Sequence, residues 1–498
     1  MLQGLLRTIS TDQMEQIHQA ILHVLEQTGL QIRGRFLLEA LAAAGCRVDF
    51  DKHRAWFKPD LVERQIGAQK GRYQKVRSSL WYPFCRRLPD NDVAWPDEFT
   101  LDYGFGTPFI YDYPAGTYRR PTAQDQIDMI KLGQALPEVK AVNAPFICGD
   151  FDSRMESLES ARLLLLHTDK PGWVATACGR EVKYLVELAQ LAADLNSSEV
   201  PHEPAIFVNA YCTTSPLKLD TRSCDVLAEA LKHKFPINFA TMPILGGTTP
   251  VTPAGSVVVA AAELLGCITA ASLIDPEIPI YTTSIAAVMD MRTTQICYAV
   301  PQAVLTDAVL HQLFRTKYGL VLNVEPAYVE AKCPGIQAAL LKTYRQMAFA
   351  ATVSASFPIG LLDSASTFSP TQAMIDRDIN LAEYGFARGI EVSPETLCVD
   401  LIKEMEFCEK SAYIQTDHTF HHFRDLLWDS PFLDRTTRQE RAYRPAREDE
   451  ALLQKADRAW RNLVEAAQPV ERDERFSREL DRIVEASRRE LMTSTGTE

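Results

Sequence analysis

From about residue 138 to 400, short apolar runs alternate with helix-like segments, and this rhythm narrows the possible folds more than any other feature. The runs are VKAVNAPFI, GWVATAC, AIFVNAYC, INFATMPI, IPIYTTSI, LVLNVEP and FPIGLL. Between them lie SLESARLLLLH, EVKYLVELAQLAADL, CDVLAEALKHK, GSVVVAAAELLGCITAASLI, PQAVLTDAVLHQLFRTKYG and IQAALLKTYRQMAFAATVS. Strands that alternate with helices form βαβ units and a parallel sheet. Seven or eight units over about 260 residues match the size of a closed (β/α)8 barrel of the TIM type. The other arrangement is a doubly wound open sheet. No G-x-G-x-x-G follows a first strand, so a dinucleotide fold has little support.

The flanks read differently. Residues 1–137 are expected to form an extension of helices and a β-hairpin, with the barrel at 138–400 and a helical tail at 401–498. In TDQMEQIHQAILHVLEQTG, Thr11 is the N-cap candidate and Gly29 the stop; Met14, Ile17, Ile21, Val24 and Leu25 form one stripe. RFLLEALAAAG and DLVERQIGAQ give two further helices. FIYDYPAGTYRR is a hairpin turning at Pro114-Ala115-Gly116. Thr122 then caps a helix, and Asp125 returns the bond as in a capping box. In the tail, Phe476, Leu480 and Ile483 recur at helical spacing, which predicts a solvated helix packing one narrow stripe.

Net charge and cysteine content exclude several classes. The 498 residues carry a formal charge of −13, which lacks the basic footprint of nucleic-acid binding. Eleven cysteines occur without a C-x-x-C pair, so neither a disulfide framework nor a zinc ribbon is expected. No apolar run of about 18 residues predicts a membrane span, and the N-terminus lacks a signal-peptide layout. The expectation is a cytoplasmic homo-oligomer with no membrane and no nucleic-acid partner.

In a parallel barrel, working residues sit where strands end. Those positions hold Cys148 to Asp152, Cys178, Asn209 to Thr213, Pro243 to Thr249, Thr282 to Ser284, Asp290, Arg292, Glu325, Tyr328 and Asp363 to Ser366. GGTTPVTPAG, residues 246–255, is a fixed polar turn ahead of a long helix, whose N-terminus favours an anion such as a carboxylate. It reads equally as a rigid connector. Asp290 and Arg292 can hold a cation and a carboxylate, or form an ion pair with each other. His418 and His422 share a helix face at metal-ligand spacing, but the usual third ligand is missing. A surface helix is the better reading there, and no metal is expected.

LDYGFGTPFIYDYPAGTYRR, residues 101–120, concentrates six aromatic residues among three glycines. Phe109, Tyr111 and Tyr113 alternate on one hairpin face and suit a core. Tyr103 and Phe105, beside Gly104 and Gly106, suit either a core or an aromatic cage. A quaternary ammonium has no N–H to donate and is held well by ring faces.

Five stretches, in order, resemble the trimethylamine methyltransferase superfamily. FIYDYPAGTYRRPTAQDQIDMIKLGQALPEVK is similar to its N-terminal signature, and GGTTPVTPAGSVVVAAAELLG to its G-A-T-A-P-V-T-L-A-G loop. IYTTSIAAVMDMRTTQ resembles its V-M-D-M-R-T loop. EAKCPGIQA resembles its D-A-K-x-P-D-x-Q-A loop, with Gly335 where an Asp is common. DHTFHHFRDLLWDSPFLDR resembles its C-terminal signature. The likeness spans about residues 10–445.

The resemblance implies a (β/α)8 barrel and methyl transfer from a methylated amine to the Co(I) corrinoid, a cobalamin, of a separate partner protein. No cofactor is then held tightly by this chain. Archaeal trimethylamine enzymes of the family carry pyrrolysine, and this sequence shows none. That points to the branch acting on quaternary amines: glycine betaine first, proline betaine or carnitine otherwise. Chemistry then suggests Tyr103, Phe105, Tyr211 and Tyr328 as ring walls. It suggests Arg292, Thr248 and Thr249 for a carboxylate, and Asp290, Glu325 and Glu330 as negative charge. Two other readings stay open: a lyase or isomerase using Lys332, which needs a buried lysine, and a non-catalytic betaine binder.

Overall fold

Strands and helices alternate in strict chain order through the body of the computed structural model. The structure describes residues 7–75, 86–87, 93–94, 101–104, 106–170, 172–195, 206–278, 280–320, 322–352, 357–387, 390–405, 412–426, 428, 430–434 and 448–493. The strands are β1 (Leu101–Tyr103), β2 (Val139–Ala141), β3 (Gly172–Ala175), β4 (Ile206–Thr214), β5 (Ile237–Thr241), β6 (Ile280–Ser284), β7 (Leu322–Val324) and β8 (Phe357–Ile359). The helices that follow them are α1 (Ala123–Ala135), α2 (Glu156–His167), α3 (Gly179–Leu195), α4 (Thr221–Lys232), α5 (Pro253–Ile274), α6 (Pro301–Gln312), α7 (Ile336–Thr352) and α8 (Pro370–Ala387).

The strands pair in two parallel arcs. One runs β3-β4-β5-β6-β7, with Gly172 opposite Ile206, Ile237 opposite Ile280 and Thr282 opposite Leu322. The other runs β8-β1-β2, with Phe357 opposite Leu101 and Leu101 opposite Val139. A continuous, closed ladder of eight strands, as the sequence suggests, is not present among the described residues. The arcs do meet on one side. A Cβ on Gly172 would lie 1.9 Å from the carbonyl oxygen of Val142, so β3 approaches the end of β2 as only glycine permits.

All seven runs read as strands from the sequence form strands. The eighth comes from before residue 138: β1 and α1 belong to the parallel array, although they fall within the stretch read as an N-terminal extension. The reason is physical. A three-residue strand, Leu101–Tyr103, is too short to announce itself by periodicity, and it sits among aromatics that read as hairpin.

Helix α5 is apolar on every face because it is covered on every face. The body lies on one side, and helices Thr11–Gln27, Arg35–Ala43 and Pro59–Lys75 pack over the other. It is long and apolar enough to cross a membrane, but most of it is buried inside the protein. Ser10, not Thr11, caps the first helix: its side chain accepts from the Gln13 amide while Gln13 bonds back. The hairpin Phe109–Asp112/Thr117–Arg119 and the Thr122–Asp125 capping box form as read, but the face that suits a core is the other one: Ile110 is buried, Phe109 is exposed and Tyr111 and Tyr113 are half-buried. In the tail, Phe476, Leu480 and Ile483 are buried where helix Glu474–Thr493 packs on α3 and α2.

Candidate functional site

The carboxyl ends of β6 and β7 bring Asp307, Glu325 and Glu330 around one buried guanidinium, and Asp102, in the middle of β1, acts on Glu325. Glu325 follows β7 directly and accepts from Asn323 Nδ2 at 3.1 Å. Arg345, on α7 and fully buried, donates to the carbonyl of Glu325 at 3.0 Å and to that of Tyr298 at 2.7 Å. It also pairs with Asp307 at 3.2 Å. Asp307, on α6, accepts from Ser284 Oγ at 2.7 Å and from the Ala286 amide at 3.0 Å, which fixes the end of β6. Glu330 accepts from the Ala299 amide through one oxygen, while its other oxygen is buried with no hydrogen-bond partner.

Among the described residues, Arg345 is the guanidinium that faces these carboxyl groups. Burial, then the nearby charge of Asp102, push the Glu325 carboxyl up to about 8, against the pull of Arg345. Burial raises Asp307 to about 6, again against Arg345. Arg345 feels Asp307, Glu330 and Tyr298 together, and it donates to the backbone carbonyls of Glu325 and Tyr298 and to Asp307. Beside this group the rings of Tyr298 and Tyr328 lie 5.3 Å apart at 59°, Tyr298 buried and Tyr328 half-buried. A cation delivered here would meet fixed negative charge and ring surface, the two features that attract a quaternary ammonium.

Of the residues singled out from sequence, Glu325, Tyr328 and Glu330 come together here. Others are placed elsewhere. Tyr103 is a core residue with 0% exposure, its ring set edge-on to Phe368 at 5.5 Å and its hydroxyl without a partner. Gly104 exists for packing: a Cβ there would lie 2.2 Å from Leu361. Phe105 lies outside the described residues, as does the side chain of Tyr211. The Thr248 hydroxyl accepts from the Ile244 amide at 3.0 Å, and the Thr249 hydroxyl bonds Ser256 at 2.8 Å. Both threonines thus hold their own loop, as in the connector reading.

Asp290 and Arg292 also pair with each other, at 3.1 Å, on a surface loop where the Arg292 side chain is 88% exposed. Bonding to Arg292 holds the Asp290 carboxyl down to about 2. A carboxylate ligand would have to displace that pair. Lys332 is exposed and paired with Asp363, so the buried lysine that Schiff-base chemistry requires is not there. His418 and His422 stack with ring centroids 4.6 Å apart on an exposed helix. Among the described residues no cluster of His, Cys, Asp and Glu is arranged to hold a metal.

Sequence reasoning missed Asp102, Tyr298, Asp307 and Arg345. A signal did exist for Asp307: in PQAVLTDAVLHQ it shares the buried face with Ala303, Val304 and Leu310. A charge on an apolar stripe is rarely buried without a reason.

The family model for trimethylamine methyltransferase (MTTB) matches residues 3–492. The chain is 28% identical over 433 residues to a trimethylamine methyltransferase, MttB, of Desulfitobacterium hafniense, covering 86% of this chain and 84% of that one. It is 22% identical over 462 residues to a glycine betaine methyltransferase of Desulfitobacterium hafniense, covering 92% of each. Superposed on the monomethylamine methyltransferase (MtmB) of Methanosarcina barkeri, it covers 99% of this chain and 89% of that one, at 13% identity and a TM-score of 0.45.

Proposed function

Because the chain belongs to the trimethylamine methyltransferase family, we propose that it moves a methyl group from glycine betaine to the Co(I) corrinoid of a partner protein, releasing dimethylglycine. The observation that carries this reading is the electrostatic one. Among the described residues, Asp307, Glu325 and Glu330 lie around the Arg345 guanidinium, with Asp102 acting on Glu325, next to two tyrosine rings. A quaternary ammonium adds positive charge beside these carboxyl groups and asks for no hydrogen-bond acceptor.

In this reading the two strand arcs are one barrel wall, and the site lies at its carboxyl end. The corrinoid enters as a second substrate on its own protein, and this chain binds no cofactor itself. The cobalt electron pair forms the new bond to the methyl carbon, and the C–N pair returns to nitrogen. The departing amine is neutral, so no proton donor and no Lewis acid is needed to activate it. What the protein supplies is orientation, exclusion of water and counter-charge. Proline betaine and carnitine share the reacting group and differ only in the rest of the molecule.

Calorimetry with a neutral twin tests the charge argument. 3,3-Dimethylbutanoate has the shape of glycine betaine with carbon in place of nitrogen. Betaine should bind about thirtyfold more tightly, a desolvated cation–ring and carboxylate contribution of about 2 kcal/mol. Equal affinities would remove the electrostatic basis of the proposal.

A further inference from the structure

We infer that the seam between α7 and α8 binds one alkali cation, Na⁺ or K⁺, through the side-chain oxygens of Gln346, Gln372, Asn380 and Glu383. The two helices each follow a parallel strand, so they run side by side in the same direction, and they pack together. Lys342 of α7 bonds Asp376 of α8 at 2.7 Å, and both side chains are fully buried. One turn further along each helix stand Gln346 and Asn380, and Glu383 follows one turn beyond Asn380. Gln372 lies one turn before Asp376 and donates to it at 2.7 Å. Gln346, Gln372 and Asn380 are 0% exposed and Glu383 is 1% exposed, so the stripe is cut off from solvent.

Buried polar groups ordinarily find partners. Seven side-chain atoms of this stripe have none: both oxygens of Glu383, the oxygen of Gln372, and the oxygen and nitrogen of Gln346 and of Asn380. Five of the seven are oxygens, and exchanging oxygen with nitrogen on either of those two amides leaves that count unchanged. Charge points the same way. The Lys342 ammonium is engaged by Asp376, which also accepts from the Gly360 amide at 2.8 Å. Glu383 has no hydrogen-bonded cation among the described residues. Burial, then Asp376, lift its carboxyl to about 9, against the pull of Lys342. One carboxylate beyond the Lys342–Asp376 balance, with amide oxygens on both helices beside it, suits a single positive charge that takes oxygen ligands. The stripe offers no imidazole or thiolate for a softer metal. The inference holds whichever methyl donor is used.

Thermal unfolding of the full chain tests it, in NaCl, in KCl and in N-methylglucamine chloride at equal ionic strength and pH. At least one of the two alkali salts should raise the midpoint saturably, by about 2 °C over N-methylglucamine. Glu383→Gln should lose that rise, since it keeps the shape and removes the charge. Equal midpoints in all three salts would overturn the inference and assign the seam to internal water, as would a rise that Glu383→Gln retains. Should the variant fail to fold, equilibrium dialysis of the wild type against radioactive sodium or rubidium answers the same question. One ion per chain is the expected result, and binding of neither ion overturns the inference.

Discussion

Glu325 holds its proton at neutral pH in the free protein, because burial and Asp102 lift its carboxyl to about 8 from an ordinary value of 4.5. The folded chain therefore binds more protons than the unfolded one between these values. This group's contribution to stability is full below 4.5 and falls as the pH rises through about 8. Betaine reverses the balance, since a fixed cation favours the carboxylate. Below about 8 binding expels a proton, so affinity should rise by up to about tenfold per pH unit and level off above it. Titrations across pH 6.5–9.5 would show this, with Glu325→Gln abolishing the slope. A slope unchanged in that variant would assign the proton to another group. Tyr103→Phe makes the opposite forecast. Its hydroxyl is buried without a partner, so removal should change stability by no more than about 1 kcal/mol, most naturally upward, and leave betaine affinity unaltered. At this scale the sequence is ambiguous: Tyr103 satisfies core and cage equally, and only its edge contact with Phe368 decides. Glu325 could be picked because it follows a recognisable strand, whereas Arg345 is hidden in a helix whose other buried residues do not mark it.

At the scale of elements, periodicity and capping were informative wherever an element is long or its end chemistry is distinctive. The Thr122–Asp125 box, reinforced by Arg119 at 2.7 Å, was readable from four letters. β1 was not, because three residues carry no period, and its role appears only through pairing with β8 and β2. The same holds for Gly172, whose need for hydrogen in place of a methyl arises from a neighbouring strand rather than from its own segment. Gly172→Ala should cost ~2 kcal/mol or more in denaturant unfolding, since backbone must move to admit the methyl. In the tail, Leu480→Ala should cost about 2–4 kcal/mol by leaving a cavity against α3 and α2. The KM for betaine should stay fixed, because that contact lies outside the acidic site. A raised KM would tie the tail to the site.

For the whole molecule, an overall charge of −13 and a carboxylate-rich interior draw cations, not phosphates, and the ordered loops place the chain in its family. Alternating strands and helices made the α/β class legible, while the join between the two strand arcs depends on contacts no local pattern encodes. The central claim is the transfer itself, and the most direct measurement follows the absorbance of cob(I)alamin, free and on a reduced corrinoid protein, as methyl donors are added. The account predicts conversion to methylcobalamin with glycine betaine, with one dimethylglycine formed per methyl transferred, and none with dimethylglycine as donor. No conversion with any quaternary amine, on either acceptor, or conversion with trimethylamine alone, would contradict it.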